Sequence, residues 1–235
     1  QVDAYLPPYV PRQVVDPDEP VTIGAMVGPE AYMEVRYLAH AKQMQALELI
    51  PDLAAEFKKA FGRDSGGLLH TYRTEDADTI VCALGSVNGT IKDTVDGLRA
   101  EGVKIGSVSL CSFRPFPSAA LKKAIGHAKC VVTVEKSLSV GIGGNVSHNL
   151  RMAIGEGGAR VYTVIAGLGG RTITRASLKK TFLAARDGTL EPLSFMDLNH
   201  DVVNRQLDRE RKTRRTGPAA EAMLRDIGFA GAPIG

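Results

Sequence analysis

From residue 79 onward the sequence repeats one unit: a short apolar run, a glycine-marked turn, then an amphipathic helical stretch. The runs are 79–83 (TIVCA), 104–110 (KIGSVSL), 130–134 (CVVTV) and 161–166 (VYTVIA). Each is too short for a core helix and carries the β-branched residues of a strand. Helical spacing follows each run: Ile91, Val95 and Leu98 up to Gly102, then residues 118–127, 145–155 and 174–186. Strands alternating with helices through short links predict a three-layer α/β fold. The expected fold is Rossmann-like, with a mostly parallel sheet and right-handed crossovers.

The flanks read differently. Five of the twelve prolines, Pro7, Pro8, Pro11, Pro17 and Pro20, fall in the first twenty residues. They favour an extended arm over regular structure, and residues 1–28 are taken as an arm or linker. Residues 29–73 form a helical segment, with helices expected over 30–49 and 52–61, broken at Pro51 and capped by Gly62. Residues 74–190 form the α/β domain and 191–235 a charged helical extension, ending in an amphipathic turn over 218–227.

Composition removes several function classes. No run of eighteen apolar residues is present, so no membrane span is expected. The formal net charge of +3 resides in one cationic stretch, residues 209–215 (RERKTRR), which argues against a general nucleic-acid-binding surface. Cys82, Cys111 and Cys130 are widely spaced, with no C-x-x-C, and supply neither a zinc nor an iron-sulfur site. Each reads as a small buried hydrophobe in a reducing, cytoplasmic setting, and no metal ligand set is assigned.

Two glycine clusters stand between a strand and a helix, where free N–H groups can receive an anion. Gly141, Gly143 and Gly144 lack the G-x-G-x-x-G spacing and read first as a tight turn or subunit contact. Gly167, Gly169, Gly170 and Arg171, with the Thr172 and Thr174 hydroxyls nearby, are the better anion-site candidate, the other reading being an Arg171 ion pair with a neighbouring domain. Residues 113–117 (FRPFP) hold two aromatics and Arg114 on a stiff backbone. Glu135 and His148 are the best-placed ionisable side chains, but neither has a partner visible in sequence. No catalytic constellation emerges. The interface candidates are Arg114, Phe116, Glu135, Gly143, Gly144 and Arg171.

Several strings add a resemblance: LPPY at 6–9, DPDEPVTIGAMVGPEAYMEVRY at 16–37, TEDADTIVCALGSVNGT at 74–90, FRPFP, and IAGLGGR at 165–171. In that order they resemble the C-terminal half of the alpha subunit of 2-oxoacid:ferredoxin oxidoreductases, most closely the pyruvate synthase type. The resemblance implies a transketolase C-terminal-like domain in an enzyme converting a 2-oxo acid and coenzyme A to acyl-CoA and CO2, with electrons passing to ferredoxin. It also implies that thiamine diphosphate, magnesium and iron-sulfur clusters are held elsewhere: in a pyrimidine-binding domain preceding residue 1, in the beta subunit, and in gamma and ferredoxin-like delta subunits. The portion seen here would then serve assembly rather than chemistry and be inactive alone. A free-standing Rossmann-like module that binds a nucleotide or CoA, or acts as a scaffold, is the alternative.

Overall fold

The computed structural model describes residues 2–11, 14–20, 24, 26–155, 158–212 and 219–228. It divides into two compact units, Gln1–Ser194 and Phe195–Gly235. The first unit is organised by a six-stranded sheet in the order β1-β3-β2-β4-β5-β6. Its strands are β1 (Leu69–Tyr72), β2 (Thr79–Ala83), β3 (Ile105–Leu110), β4 (Cys130–Glu135), β5 (Arg160–Ile165) and β6 (Leu193–Phe195). The four strands expected from sequence, β2 to β5, pair in parallel, with Cys82 level with Val108 on one side and Thr133 on the other. β2 and β4 are buried along their whole length, which explains why they read as continuous apolar runs.

The connecting helices are α3 (Val87–Ala100), α4 (Ser118–Ile125), α5 (Asn145–Ile154) and α6 (Arg175–Arg186). α3 packs beside α6, and α4 beside α5. Leu121 and Ile125 of α4 join Val146 and Leu150 of α5 over Ile80, Cys82, Val108 and Val131 on one sheet face. On the other face Cys130 of β4 points its Sγ at the Ala185 carbonyl of α6, 3.7 Å away, and Phe182 of the same helix is fully buried. The chain leaves β2 to build β3 on one side and later returns to build β4 on the other. The gap between the carboxyl ends of β2 and β4 is therefore the switch point of the sheet, where open α/β folds carry crevices.

The structure corrects the sequence reading of the flanks. Residues 32–61 form one helix, α2 (Tyr32–Phe61), with Pro51 inside it, where two helices were expected. A proline removes one N–H from the ladder, and in thirty residues the neighbouring turns carry the helix through. Its end is as expected: Gly62 is left-handed and its N–H bonds to the Lys58 carbonyl at 2.9 Å. The arm opens with a single helical turn, α1 (Val2–Tyr5), instead of extended chain, and the Tyr5 ring meets Phe61 edge-on at 5.3 Å. β1 lies within the stretch read as helical, antiparallel to β3, and β6 within the stretch read as a helical extension. Both are edge strands of four and three residues, too short to show a period. The second unit contains α7 (His200–Lys212) and α8 (Ala219–Asp226), joined by Arg209, whose two N–H groups reach the Asp226 carboxylate at 2.8 and 2.9 Å. Part of the cationic stretch, residues 213–215, lies outside the described residues.

Candidate functional site

Because β2 to β5 run in parallel, the loops after them gather at one edge of the sheet, and most sequence candidates fall there. The loop after β4 is strapped into a rigid tip. Ser139 N–H donates to the Gly143 carbonyl at 2.7 Å and Gly143 N–H returns to Ser139 at 2.9 Å. Ser139 Oγ bonds Asn145 Oδ1 at 2.7 Å, and Asn145 Nδ2 donates to Ser137 Oγ. Gly141 and Gly143 hold φ of 90° and 117°, conformations that glycine alone adopts without strain. The tip presents Val140 and Ile142 to solvent, 92% and 64% exposed.

Glu135 closes this loop from below, and its partners come from the next helix. It ends β4, is only 7% exposed, and accepts the Val146 and Ser147 N–H groups of α5 at 2.8 and 3.0 Å. The anion at the start of α5 is thus the chain's own carboxylate, which satisfies two of the helix's four orphan donors and complements its dipole. Gly144 is dictated by this contact, since a Cβ there would overlap the carboxylate. His148 Nδ1 lies 2.5 Å from the Gly144 carbonyl. A carbonyl can only accept, so Nδ1 carries the proton.

The loop after β5 is also closed internally. Gly167 is left-handed, residues Leu168–Gly170 form one 3-10 turn, and Thr174 caps α6 by accepting the Ser177 N–H at 3.1 Å. The sequence candidates Gly167, Gly169, Gly170 and Arg171 therefore surround a helix start whose cap is already made. Arg171 is exposed and engages another group of the chain. After β3, Ser112 Oγ bonds the Pro115 carbonyl at 2.8 Å, and the exposed Arg114 guanidinium lies 4.4 Å from the Phe113 ring centre. Phe113 and Phe116 meet edge-to-face at 6.0 Å and pack on the core, so Phe116 braces the loop and Arg114 is the group it displays.

Sequence reasoning missed what these loops enclose. A cavity of about 340 Å³ sits at the switch point, lined by Gly85, Ser86, Glu135, Lys136, Ser137 and aliphatic side chains. The signal was available in the Gly85-Ser86 step that turns the first parallel strand into a helix, the usual place for a ligand crevice.

The cysteines divide by burial. Cys82 is sealed in β2, where burial pushes its thiol up to about 12, and the Cys130 thiol is raised for the same reason. Cys111 corrects the sequence expectation: it is exposed, because the chain turns outward as soon as β3 ends. Two core thiols and one surface thiol do not fit an iron-sulfur cluster. No three His, Cys, Asp or Glu side chains converge as metal ligands among the described residues. None of the helices described is long and apolar enough to cross a membrane.

Comparison with known proteins places the sheet. Residues 77–178 match the family model described as pyruvate:ferredoxin oxidoreductase core domain II. The chain is 38% identical over 210 residues to the pyruvate synthase subunit PorA of Methanosarcina barkeri, covering 86% of this chain and 52% of that one. It is 34% identical over 181 residues to the ketoisovalerate oxidoreductase subunit VorA of Pyrococcus horikoshii, covering 76% and 46%. Among solved structures it is similar to the 2-oxoglutarate:ferredoxin oxidoreductase from Magnetococcus marinus, at 21% identity and a TM-score of 0.40, over 53% of this chain and 20% of that one. The chain spans about half the length of the curated relatives it matches.

Proposed function

The chain belongs to the 2-oxoacid:ferredoxin oxidoreductase family through its core domain II, and on that premise we propose that it is the assembly portion of such an enzyme's alpha subunit. The enzyme would convert a 2-oxo acid and CoA to acyl-CoA, CO2 and reduced ferredoxin in the cytoplasm. Pyruvate is the first substrate to test and a branched-chain oxo acid the second, in line with the names of the two relatives. Thiamine diphosphate, magnesium, the clusters and CoA would be bound by the complex, through a pyrimidine-binding domain and through beta, gamma and ferredoxin-like delta subunits.

One observation carries this reading: the family match falls on a sheet whose loops hold their anchors rigid. Glu135 and Gly144 fix the tip bearing Gly143, and Phe116 fixes Arg114. Rigid, exposed arginine groups are enriched among interface anchors. In the proposed division, residues 74–190 form the docking core. The arm 1–28, the helical segment 29–73 and the extension 191–235 make further contacts.

Arg114→Ala tests the assignment. In the chain by itself the change should move stability by less than about 0.5 kcal/mol, as at other exposed sites. In the reconstituted complex it should loosen association with the beta subunit on size exclusion, by about 2 to 5 kcal/mol if the guanidinium is buried against a charged partner. Normal assembly with a raised KM for CoA would instead make this edge an anion site. With thiamine diphosphate and magnesium added, the chain alone should not reduce a viologen dye from pyruvate and CoA. Turnover above the protein-free blank would refute the division of roles.

A further inference from the structure

The cavity at the switch point has a chemistry of its own. Its walls are aliphatic, from Val87, Val134, Val146, Ala166 and Ile173. Its volume of about 340 Å³ suits a small molecule, at the lower end of ligand pockets. Glu135 lines it too, but both carboxylate oxygens are occupied by the Val146 and Ser147 N–H groups.

Lys136 is the one cation of the lining. Among the described residues it makes neither a hydrogen bond nor an ion pair. Its stem lies against Gly167, where a Cβ would come within 2.9 Å of Lys136 Cε. The glycine turn after β5 thus gives the lysine its place beside the cavity. Two hydroxyls share the lining. Ser86 Oγ has no partner among the described residues, and Ser137 Oγ accepts from Asn145, which leaves its own proton to donate.

We propose that this cavity binds a small monocarboxylate with a short aliphatic body. The carboxylate would be held by Lys136 and the Ser86 and Ser137 hydroxyls, and the body by the valine, alanine and isoleucine wall. A single cation matches a single negative charge. A phosphate dianion would meet the Glu135 carboxylate with its second charge uncompensated. The burial of aliphatic surface supplies the affinity and the ammonium the selectivity. This site is additional to the assembly role proposed above and does not rest on it.

Hexanoate is a suitable probe, titrated calorimetrically into the full 235-residue chain and followed by amide shifts. It should bind in the millimolar range or tighter and shift Ser86, Ser137, Val146 and Ala166. Hexanol, the same body without charge, and hexyl phosphate, a dianion near neutral pH, should each bind about fivefold more weakly, the scale of one partly exposed charge contact. Lys136→Gln, at an exposed position, should weaken hexanoate about fivefold while leaving the melting temperature unchanged. Val87→Phe should close the mouth and abolish binding. Equal hexanoate affinity in the wild type and Lys136→Gln would overturn the proposal. So would hexyl phosphate binding as tightly as hexanoate, or no localised shifts in millimolar hexanoate.

Discussion

The segment from β4 into α5 and the long helix α2 are similarly apolar in sequence and have opposite fates in the fold. All six residues of β4 are buried, and the one charged side chain among them, Glu135, is matched by two N–H groups of α5. In α2 no residue is buried over thirty positions. Val35, Leu38, Leu49, Leu53 and Phe57 form one exposed stripe, and Met33, Tyr37 and Met44 another. The apolar period reports which face prefers burial, and the neighbouring chain decides whether it is buried. β4 and α5 find full cover within a hundred residues, whereas α2 finds only part of its own, leaving Ala46, Leu47, Ile50 and Ala54 half-buried.

The largest expected effect lies on the sheet side of this contrast. Phe182→Ala empties a fully buried position where α6 covers the sheet and should cost about 3 to 5 kcal/mol, since the cavity left behind adds to the lost transfer energy. Urea denaturation followed by far-UV circular dichroism measures it. A cost below about 1 kcal/mol, that of an exposed position, would mean the sheet core is not the stabilising element.

Glu135→Ala should follow in size. It leaves the Val146 and Ser147 N–H groups buried without an acceptor, at about 1 to 3 kcal/mol. Glu135→Gln should rescue only part, because its amide NH2 would face one of the two donors. Full stability in Glu135→Ala would make the contact incidental and reopen the start of α5 as an anion site.

These two positions mark what could and could not be read in advance. The parallel strands and the Thr174 cap follow from local rules, apolar runs and a hydroxyl before a helical period, that act within a few residues. The β1 and β6 edges are too short for such rules. The Glu135 bond joins residues eleven and twelve apart and exists only once β4 and α5 are side by side. The cavity beside Lys136 is likewise made by three strand ends that meet only in the folded sheet. The continuity of α2 through Pro51 was missed because a proline is a local stop signal and thirty residues of helix outweigh it.

On the α2 side, Leu38→Ala should change the stability of the chain by no more than about 0.5 kcal/mol, since the side chain is 61% exposed. A loss of 2 kcal/mol or more, the range of buried leucines, would show that α2 is covered in solution and erase the contrast with β4.

The smallest effect is electrostatic, and it compares one ion pair from each region. Asp64 follows α2 and is held below the usual carboxylate range by the Lys58 ammonium, 2.9 Å away, and by the Gly66 N–H. Asp76 precedes β2 and is lowered by Arg99, 2.8 Å away. A carboxylate whose folded pKa is depressed adds stability above its unfolded pKa of about 3.8. That stability disappears as pH falls through the lower folded value, so both contributions should be present at pH 6 and fade below about pH 4. Both aspartates are solvent-facing, so the effects are small and screened by salt. They should still differ. Arg99 is fixed by further bonds to the Ile105 and Arg73 carbonyls, at 2.6 and 2.7 Å, and spends little side-chain entropy on holding Asp76, whereas Lys58 is free to swing. Asp76→Asn should therefore remove more of the difference in urea midpoint between pH 6 and pH 3 than Asp64→Asn does. The reverse order would show that the helix end is held more firmly than the sheet.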